Sequence, residues 1–250
     1  MEKFLFLDLD DTVFQTLRKC GDIADLQVAA YLRDGVPGSF CTPKQIRLLE
    51  FFRQEMQVIP TTARNLDAFH RVNLAFGKRA ILNHGGVILA ENGKPDTAWQ
   101  ERMTHLTRSM TEALYELKAR IGEFSERCCL PISTRIIGDL GMDFYVLIKH
   151  PEAQLDPLRW LLSDCIQPWI TDLENNFYCH FNGNNLAVLP TFLSKTHAVG
   201  YLREQLVSEF GEVLTFGMGD SDSDAGFMSL CDYVIIPRHS QLFFNTLAKM

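Results

Sequence analysis

Residues Phe4 to Leu7 are apolar without a break, and the run Asp8-Leu9-Asp10-Asp11-Thr12 follows at once. An unbroken apolar run of this length reads as a strand buried on both faces. Residues 26–32 and 36–40 read as a hairpin around the turn Arg33-Asp34-Gly35. Thr42-Pro43 starts a helix, with Thr as N-cap and Pro in the first helical position, and Ile46, Leu49 and Phe52 share its apolar face. Val58-Ile59 is a second strand, running into Thr61-Thr62-Ala63-Arg64. Residues 65–76 read as a helix through Leu66, Phe69 and Leu74, and Ala80-Ile81-Leu82 as a third strand. Gly85-Gly86 interrupts that strand before Val87 to Ala90 continue it.

Beyond the turn at residues 91–95 the period lengthens. Trp99, Met103, Leu106, Met110, Leu114, Leu117, Ile121 and Phe124 step by three or four, which marks one long amphipathic helix with a packing stripe. Strands at 132–137 and 144–148 flank the turn Gly138-Asp139-Leu140-Gly141; a helix lies within 155–170; strands at 177–181 and 186–189 flank Asn182-Gly183-Asn184. Helix, hairpin, helix, hairpin is an α+β module with an antiparallel sheet. After Pro190 an α/β rhythm returns: helix 195–210, strand 213–216, helix 222–230, strand 234–236 and helix 242–248. The fold expected is therefore α/β: a Rossmann-like parallel-sheet core made of residues 1–86 and 190–250, interrupted by an α+β domain at 87–189.

Composition narrows the class of partner. Among 250 residues, 46% are hydrophobic and 22% charged, ordinary values for a globular chain. The formal net charge is -7 and no basic run appears, so nucleic acid is not an expected partner. Any phosphate site must be built locally, from a metal, a Lys or Arg, and backbone N–H groups. The seven cysteines form no Cys-x-x-Cys pair and no zinc-ligand spacing. Without a signal-peptide pattern or an apolar run of membrane-spanning length, the expected setting is the cytoplasm, away from membranes.

The chemistry sits at strand ends. A strand that runs into Asp8 and Asp10 presents carboxylates at the carboxyl edge of a sheet, where open α/β folds keep ligands. Carboxylates this close repel one another, and a hard divalent cation resolves the repulsion; Mg2+ suits oxygen donors. The alternative is a loop with an Asx turn and a helix cap. Val213 to Phe216 lead into Gly217-Met218-Gly219-Asp220-Ser221-Asp222-Ser223-Asp224, where Asp220 and Asp224 can converge on a cation. An EF-hand reading fails, since positions six and twelve from Asp220 are Ala225 and Cys231. The alternative there is an acidic loop capped by Asp222. Thr62 either offers a hydroxyl to a phosphate oxygen or caps the helix from residue 65. Arg64 adds charge or pairs with a carboxylate. Lys195, poorly placed for the dipole at a helix N-terminus, either has an anionic partner or is a solvated surface residue.

Taken in order, these residues resemble the four motifs of the haloacid dehalogenase-like phosphatases: Asp8-Leu9-Asp10-Asp11-Thr12, Thr62, Lys195, and Gly219 to Asp224. The insert between the second and third motifs resembles the type-II cap of the sucrose-phosphatase and Cof-like subgroup. Thr62-Ala63-Arg64 is similar to that subgroup's Thr-Gly-Arg, and Leu186 to Pro190 ahead of Ser194-Lys195 is similar to its lead into the third motif. Ala63, His84 and Ser223 depart from the subgroup's usual Gly, Asn and Asn, and none of these changes removes a catalytic group.

The resemblance implies a Mg2+-dependent phosphatase acting on a small phosphorylated metabolite, such as a sugar phosphate, through an aspartyl-phosphate. Asp8 would be the nucleophile and Asp10 the general acid and base. Asp8, the backbone carbonyl of Asp10, Asp220 and Asp224 would hold the metal. Thr62 and Lys195 would bind the phosphate along with Asp8 and Leu9, and Thr12 would orient the first loop. Asp11, Asp222 and Arg64 are assigned first to loop structure or pairing. The cap would close over the core and select the substrate; Arg135, Asp139, Asp143, His180, Asn182 and Asn184 lie in or near its turns and strands and could touch a sugar-like substrate, but ordinary turn and surface chemistry is the better account of each. A phosphomutase or phosphotransferase on the same scaffold, and a non-catalytic phosphate- or metal-binding regulator, are the competing functions.

Overall fold

In the computed structural model the first apolar run forms β1 (Glu2–Leu7), and Phe4, Leu5, Phe6 and Leu7 are fully buried. The structure describes residues 1–174, 176–182 and 185–249. Asn184, expected in a turn of the insert, lies outside them, as does the side chain of Asn182.

From β1 the chain continues through α1 (Leu17–Cys20), a hairpin of β2 (Gln27–Tyr31) and β3 (Pro37–Cys41), α2 (Pro43–Glu55), β4 (Gln57–Pro60), α3 (Leu66–His70), β5 (Ala80–Leu82) and β6 (Val87–Leu89). The long helix α4 (Thr97–Arg127), β7 (Ser133–Asp139), β8 (Met142–Lys149), α5 (Asp156–Leu161), α6 (Gln167–Asp172), β9 (Phe177–Asn182) and β10 (Asn185–Pro190) follow. The chain ends with α7 (Lys195–Phe210), β11 (Val213–Met218), α8 (Asp222–Met228), β12 (Tyr233–Ile235) and α9 (Gln241–Asn245). It divides into two compact units, residues 1–99 with 194–250, and residues 100–193.

In the first unit the sheet order is β12-β11-β1-β4, and every pairing is parallel. Central β1 needs apolar side chains on both faces, which explains its unbroken run. Leu5 and Leu7 pack with Leu49 and Phe52 of α2 on one side. On the other, the Phe4 ring lies 5.6 Å from that of Phe210 at the end of α7. Thr42 caps α2 as expected, in a capping box with Gln45.

Three expectations change. The helix expected over 65–76 stops at His70, because Asn73 donates its N–H to Ala29 O (2.7 Å) and Arg71 O accepts from Tyr31 N–H (3.0 Å). Backbone pairing with the β2–β3 hairpin wins over helix propensity. Next, β5 does not lengthen the core sheet; it pairs antiparallel with β6, Leu82 opposite Val87, and touches the core strands through one bridge, Thr61 to Ile81. Hence β6 belongs to the first unit, although the pattern placed residues 87–189 in the insert. Lastly, the helix within 155–170 contains a π-helical turn, Leu162–Ile166, between α5 and α6.

The second unit is an antiparallel sheet, β7-β8-β10-β9, packed on helices. Leu114, Leu117 and Ile121 of α4 meet Val146, Ile148, Leu186 and Val188 of the strands, with Trp169 and Ile170 of α6. The C-terminal half of the stripe read from the sequence, Met110 to Phe124, packs into this core, whereas Trp99 at its start belongs to the first unit and donates its Nε1–H to Gly85 O (2.9 Å).

Candidate active site

Strand order decides where the acids meet. From β1 the chain passes to β4 on one side and returns through β11 on the other, so the carboxyl end of β1 is a topological switch point. The register sets Leu7 opposite both Met218 and Pro60, so the residues after all three strands emerge along one edge.

Asp8, Asp220 and Asp224 each place a carboxylate oxygen within 4.8 Å of the others. Lys195 Nζ donates to Asp8 Oδ1 (2.6 Å) and Asp224 Oδ1 (2.7 Å), and all three residues are buried. Thr12 Oγ1 lies 3.1 Å from Asp8 Oδ2 and 3.2 Å from Asp220 Oδ1, so its single proton serves one carboxylate at a time. Ser221 fixes Asp224 from behind, donating to its Oδ2 from Oγ (2.7 Å) and from the backbone N–H (3.1 Å). Gly219 permits this loop, since a Cβ there would stand 2.5 Å from Asp224 Cβ.

The cluster is rich in acid: three carboxyl groups, Asp8 and Asp224 buried and Asp220 partly so, face one ammonium. Burial raises Asp8 well above the usual carboxylate range, Lys195 opposes that rise, and Asp224 and Asp220 add to it. Burial, then Asp224 and Asp11, push Asp220 up to about 6. Burial also works against the charge on Asp224, but Lys195 and Ser221 outweigh it and hold this carboxyl low. Lys195 pays for burial with its two carboxylates, which keep it firmly charged. A hard divalent cation is what such an oxygen donor set fits, and Asp8, Asp220 and Asp224 are the side chains that could hold it.

Asp10 turns elsewhere. Arg64 grips it with Nε to Oδ2 and Nη2 to Oδ1, both 2.7 Å. Its side chain is absent from the converging carboxylates, so among the sequence-derived metal residues Asp10 has only its backbone carbonyl to contribute. Leu9 buries its side chain in the core, and its carbonyl accepts from the N–H groups of Thr12, Val13 and Phe14, which winds the loop tightly. Asp11 adopts φ 63° and pairs with Lys19 (2.5 Å), a loop role as expected.

Several alternatives drop out. Lys195 is 6% exposed and doubly paired, not a solvated surface residue. Thr62 does not cap α3; Asn65 does, accepting from Ala68 N–H. Thr62 is fully buried beyond the end of β4, its Oγ1 accepting from Arg64 N–H (3.1 Å). Helix α8 is capped by Ser221 with Asp224, not by Asp222.

In the second unit, Arg135 and His180 lie on one rung of the sheet, through Leu147 and Ala187. Asp139 ends β7, and Asp143 lies near the start of β8, its negative charge pushing the Tyr115 hydroxyl up. The sequence offered a paired role for Arg64 without naming its partner, and it missed the bracing of Asp224 by Ser221. Arg64 and Asp10 are 54 positions apart, and no local pattern joins them.

No protein-family model matches this chain, and no curated protein sequence does. Solved structures do. The sucrose-phosphatase from Synechocystis sp. PCC6803, determined with sucrose and phosphate, superposes with a TM-score of 0.58 at 17% identity, over 100% of this chain and 88% of that one. The C-terminal domain of C. albicans trehalose-6-phosphate phosphatase gives 0.54 at 14%, over 91% and 73%. A trehalose-6-phosphate phosphatase related protein gives 0.51 at 16%, over 93% and 85%. The structural neighbours are haloacid dehalogenase-like phosphatases. At these identities the likeness establishes the fold, a parallel-sheet core with an added antiparallel α+β unit. Asp8 and Asp220 follow β1 and β11, and Asp224 lies in the first turn of α8.

Proposed function

We propose that this protein is a Mg2+-dependent phosphatase that hydrolyses a small phosphorylated metabolite, a sugar phosphate, through an aspartyl-phosphate. One observation carries the reading: a buried lysine bridges Asp8 and Asp224 beside Asp220, so that three acids converge on one ammonium at the switch point of a parallel sheet. The fold it shares with sugar-phosphate phosphatases supports it.

Asp8 is the nucleophile. It sits at the end of the rigid central strand, its N–H bonded to Met218 O (2.9 Å) and its carboxylate oriented by Lys195 and Thr12. Attack forms an Asp8 O–P bond and breaks the ester P–O bond. Asp10 delivers a proton to the departing oxygen, then takes one from the water that cleaves the acyl-phosphate. Lys195 and Thr62 balance charge on the phosphoryl oxygens, with Leu9 of the first loop in the same phosphate-binding set. Held by Asp8, Asp220 and Asp224, Mg2+ would supply charge neutralisation for the phosphoryl group. Choice among esters is assigned to the second unit, the part of the chain this chemistry leaves unused. All seven cysteines are free thiols, in keeping with a cytoplasmic setting; among the described residues no helix is long and apolar enough to cross a membrane.

Phosphate release from a panel of phosphate esters, with Mg2+ and with a chelator, tests this. The expected result is Mg2+-dependent release that Asp8→Asn lowers by at least about a thousandfold. Asp8→Asn activity equal to wild type would sink the mechanism. Transfer of labelled phosphate to a second metabolite instead of water would replace hydrolysis by phosphotransfer.

A further inference from the structure

Arg64 is immobilised on several sides independently of Asp10. Its N–H donates to Thr62 Oγ1 (3.1 Å) and its carbonyl accepts from Asn83 N–H (2.8 Å). Its guanidinium lies over Phe14, Cζ 5.0 Å from the ring centroid, and Nη1 donates to Ala68 O (3.3 Å). A guanidinium held this way is a fixed fork, and Asp10 is set in it with both oxygens engaged. Asp10 itself is more open, its side chain 39% exposed against 16% for Arg64. It lies on a loop two positions from Asp8. A loose carboxylate there would be drawn toward any cation held by Asp8, Asp220 and Asp224.

We propose that Arg64 is the positioning residue for Asp10: the fork aims the carboxyl group for proton transfer and keeps it out of the cation's ligand set. This rests on the phosphatase reading. As the Asp8 O–P bond forms and the ester P–O bond breaks, the bonding pair goes to the departing oxygen, and that oxygen takes the proton of the Asp10 carboxyl. When water attacks, Asp10 recovers a proton from it, the water O–P bond forms, and the acyl-phosphate P–O pair returns to Asp8. The aim of Asp10 therefore matters most where the departing oxygen is strongly basic. An alkyl phosphate has such an oxygen and p-nitrophenyl phosphate does not.

The test compares wild type, Asp10→Asn, Arg64→Met, Arg64→Lys and the Asp10→Asn/Arg64→Met double variant. Values of kcat/KM are measured with Mg2+ for p-nitrophenyl phosphate and for a hexose phosphate. Arg64→Met is expected to lose about 100-fold on the hexose phosphate and under about fivefold on the aryl ester. Arg64→Lys keeps the charge without the fork and falls with Arg64→Met. The double variant stays within about twofold of Asp10→Asn, since Arg64 acts through Asp10. Mn2+ affinity, titrated by electron paramagnetic resonance, rises at least about threefold in Arg64→Met and returns to the wild-type value in the double variant. Additive losses, equal losses on both esters, or an unchanged Mn2+ affinity each overturn the proposal. A wild type inactive on every ester overturns the phosphatase reading instead, and the Mn2+ titration then still decides whether Arg64 keeps Asp10 off the cation.

Discussion

At position 195 a buried ammonium touches two buried carboxylates, and neither side can be removed cheaply. Lys195→Met leaves Asp8 and Asp224 in the interior without their cation, a change that costs about 3–5 kcal/mol. The expected outcome is a large fall in denaturation midpoint at pH 7.5 that shrinks at pH 5, where protons replace the missing charge; a loss independent of pH would rule out an electrostatic cause. Asp220 sets a second pH effect. Its carboxyl is raised to about 6 by burial, so the folded protein keeps a proton that the unfolded chain has released from about pH 4 upward. The contribution of this group therefore declines as pH rises through that window, because the unfolded state binds fewer protons than the folded one. Mg2+ competes with that proton. The Mg2+-induced rise in melting temperature should be larger at pH 7.5 than at pH 5.0, and equal rises would reject Asp220 as a ligand.

At the scale of elements, loops at strand ends are braced against one another across long separations. Asn83, His84 and Gly85 take positive φ in succession, and the His84 N–H donates to Thr62 O (3.2 Å). A Cβ on Gly85 would stand 2.4 Å from Ser194 O, at the cap of the helix that carries Lys195. Gly85→Ala should therefore push Ser194 and Lys195 away from Asp8, adding a left-handed strain of about 1 kcal/mol or more to the clash. Lowered turnover and lowered melting temperature together are expected, measured against Thr42→Ala. That control loses about 1 kcal/mol from the α2 cap and keeps its turnover. Wild-type turnover in Gly85→Ala would show that the brace does not set the position of Lys195. Local signals found most elements well. Helix α7 begins and ends where the pattern set it, and the Thr42 cap is a local hydrogen-bonding motif. The helix over 65–76 was cut short because its last residues bond to a hairpin some forty positions earlier, which no local window contains.

Across the whole molecule, every residue of the acidic cluster belongs to the unit formed by residues 1–99 and 194–250. Ligand binding protects backbone amides where it closes local opening, so Mg2+ should slow hydrogen exchange around residues 8–12, 195 and 218–224. The strands at 133–149 and 177–190 should exchange unchanged; equal protection there would mean that the cation is not confined to the first unit. The sequence by itself determined where Asp8 emerges, because a central buried strand must be apolar throughout and its first polar residues must appear at the sheet edge. It also determined that an α+β module interrupts an α/β chain, since period and residue type are local properties. Only the tertiary structure decided which acids share Lys195, that Asp10 faces Arg64 and not the cluster, and that β6 stays with the first unit. Those facts depend on strand order and on contacts such as that of Asp8 with Lys195, 187 positions apart. Such contacts form only when a folded backbone brings the partners within hydrogen-bonding distance.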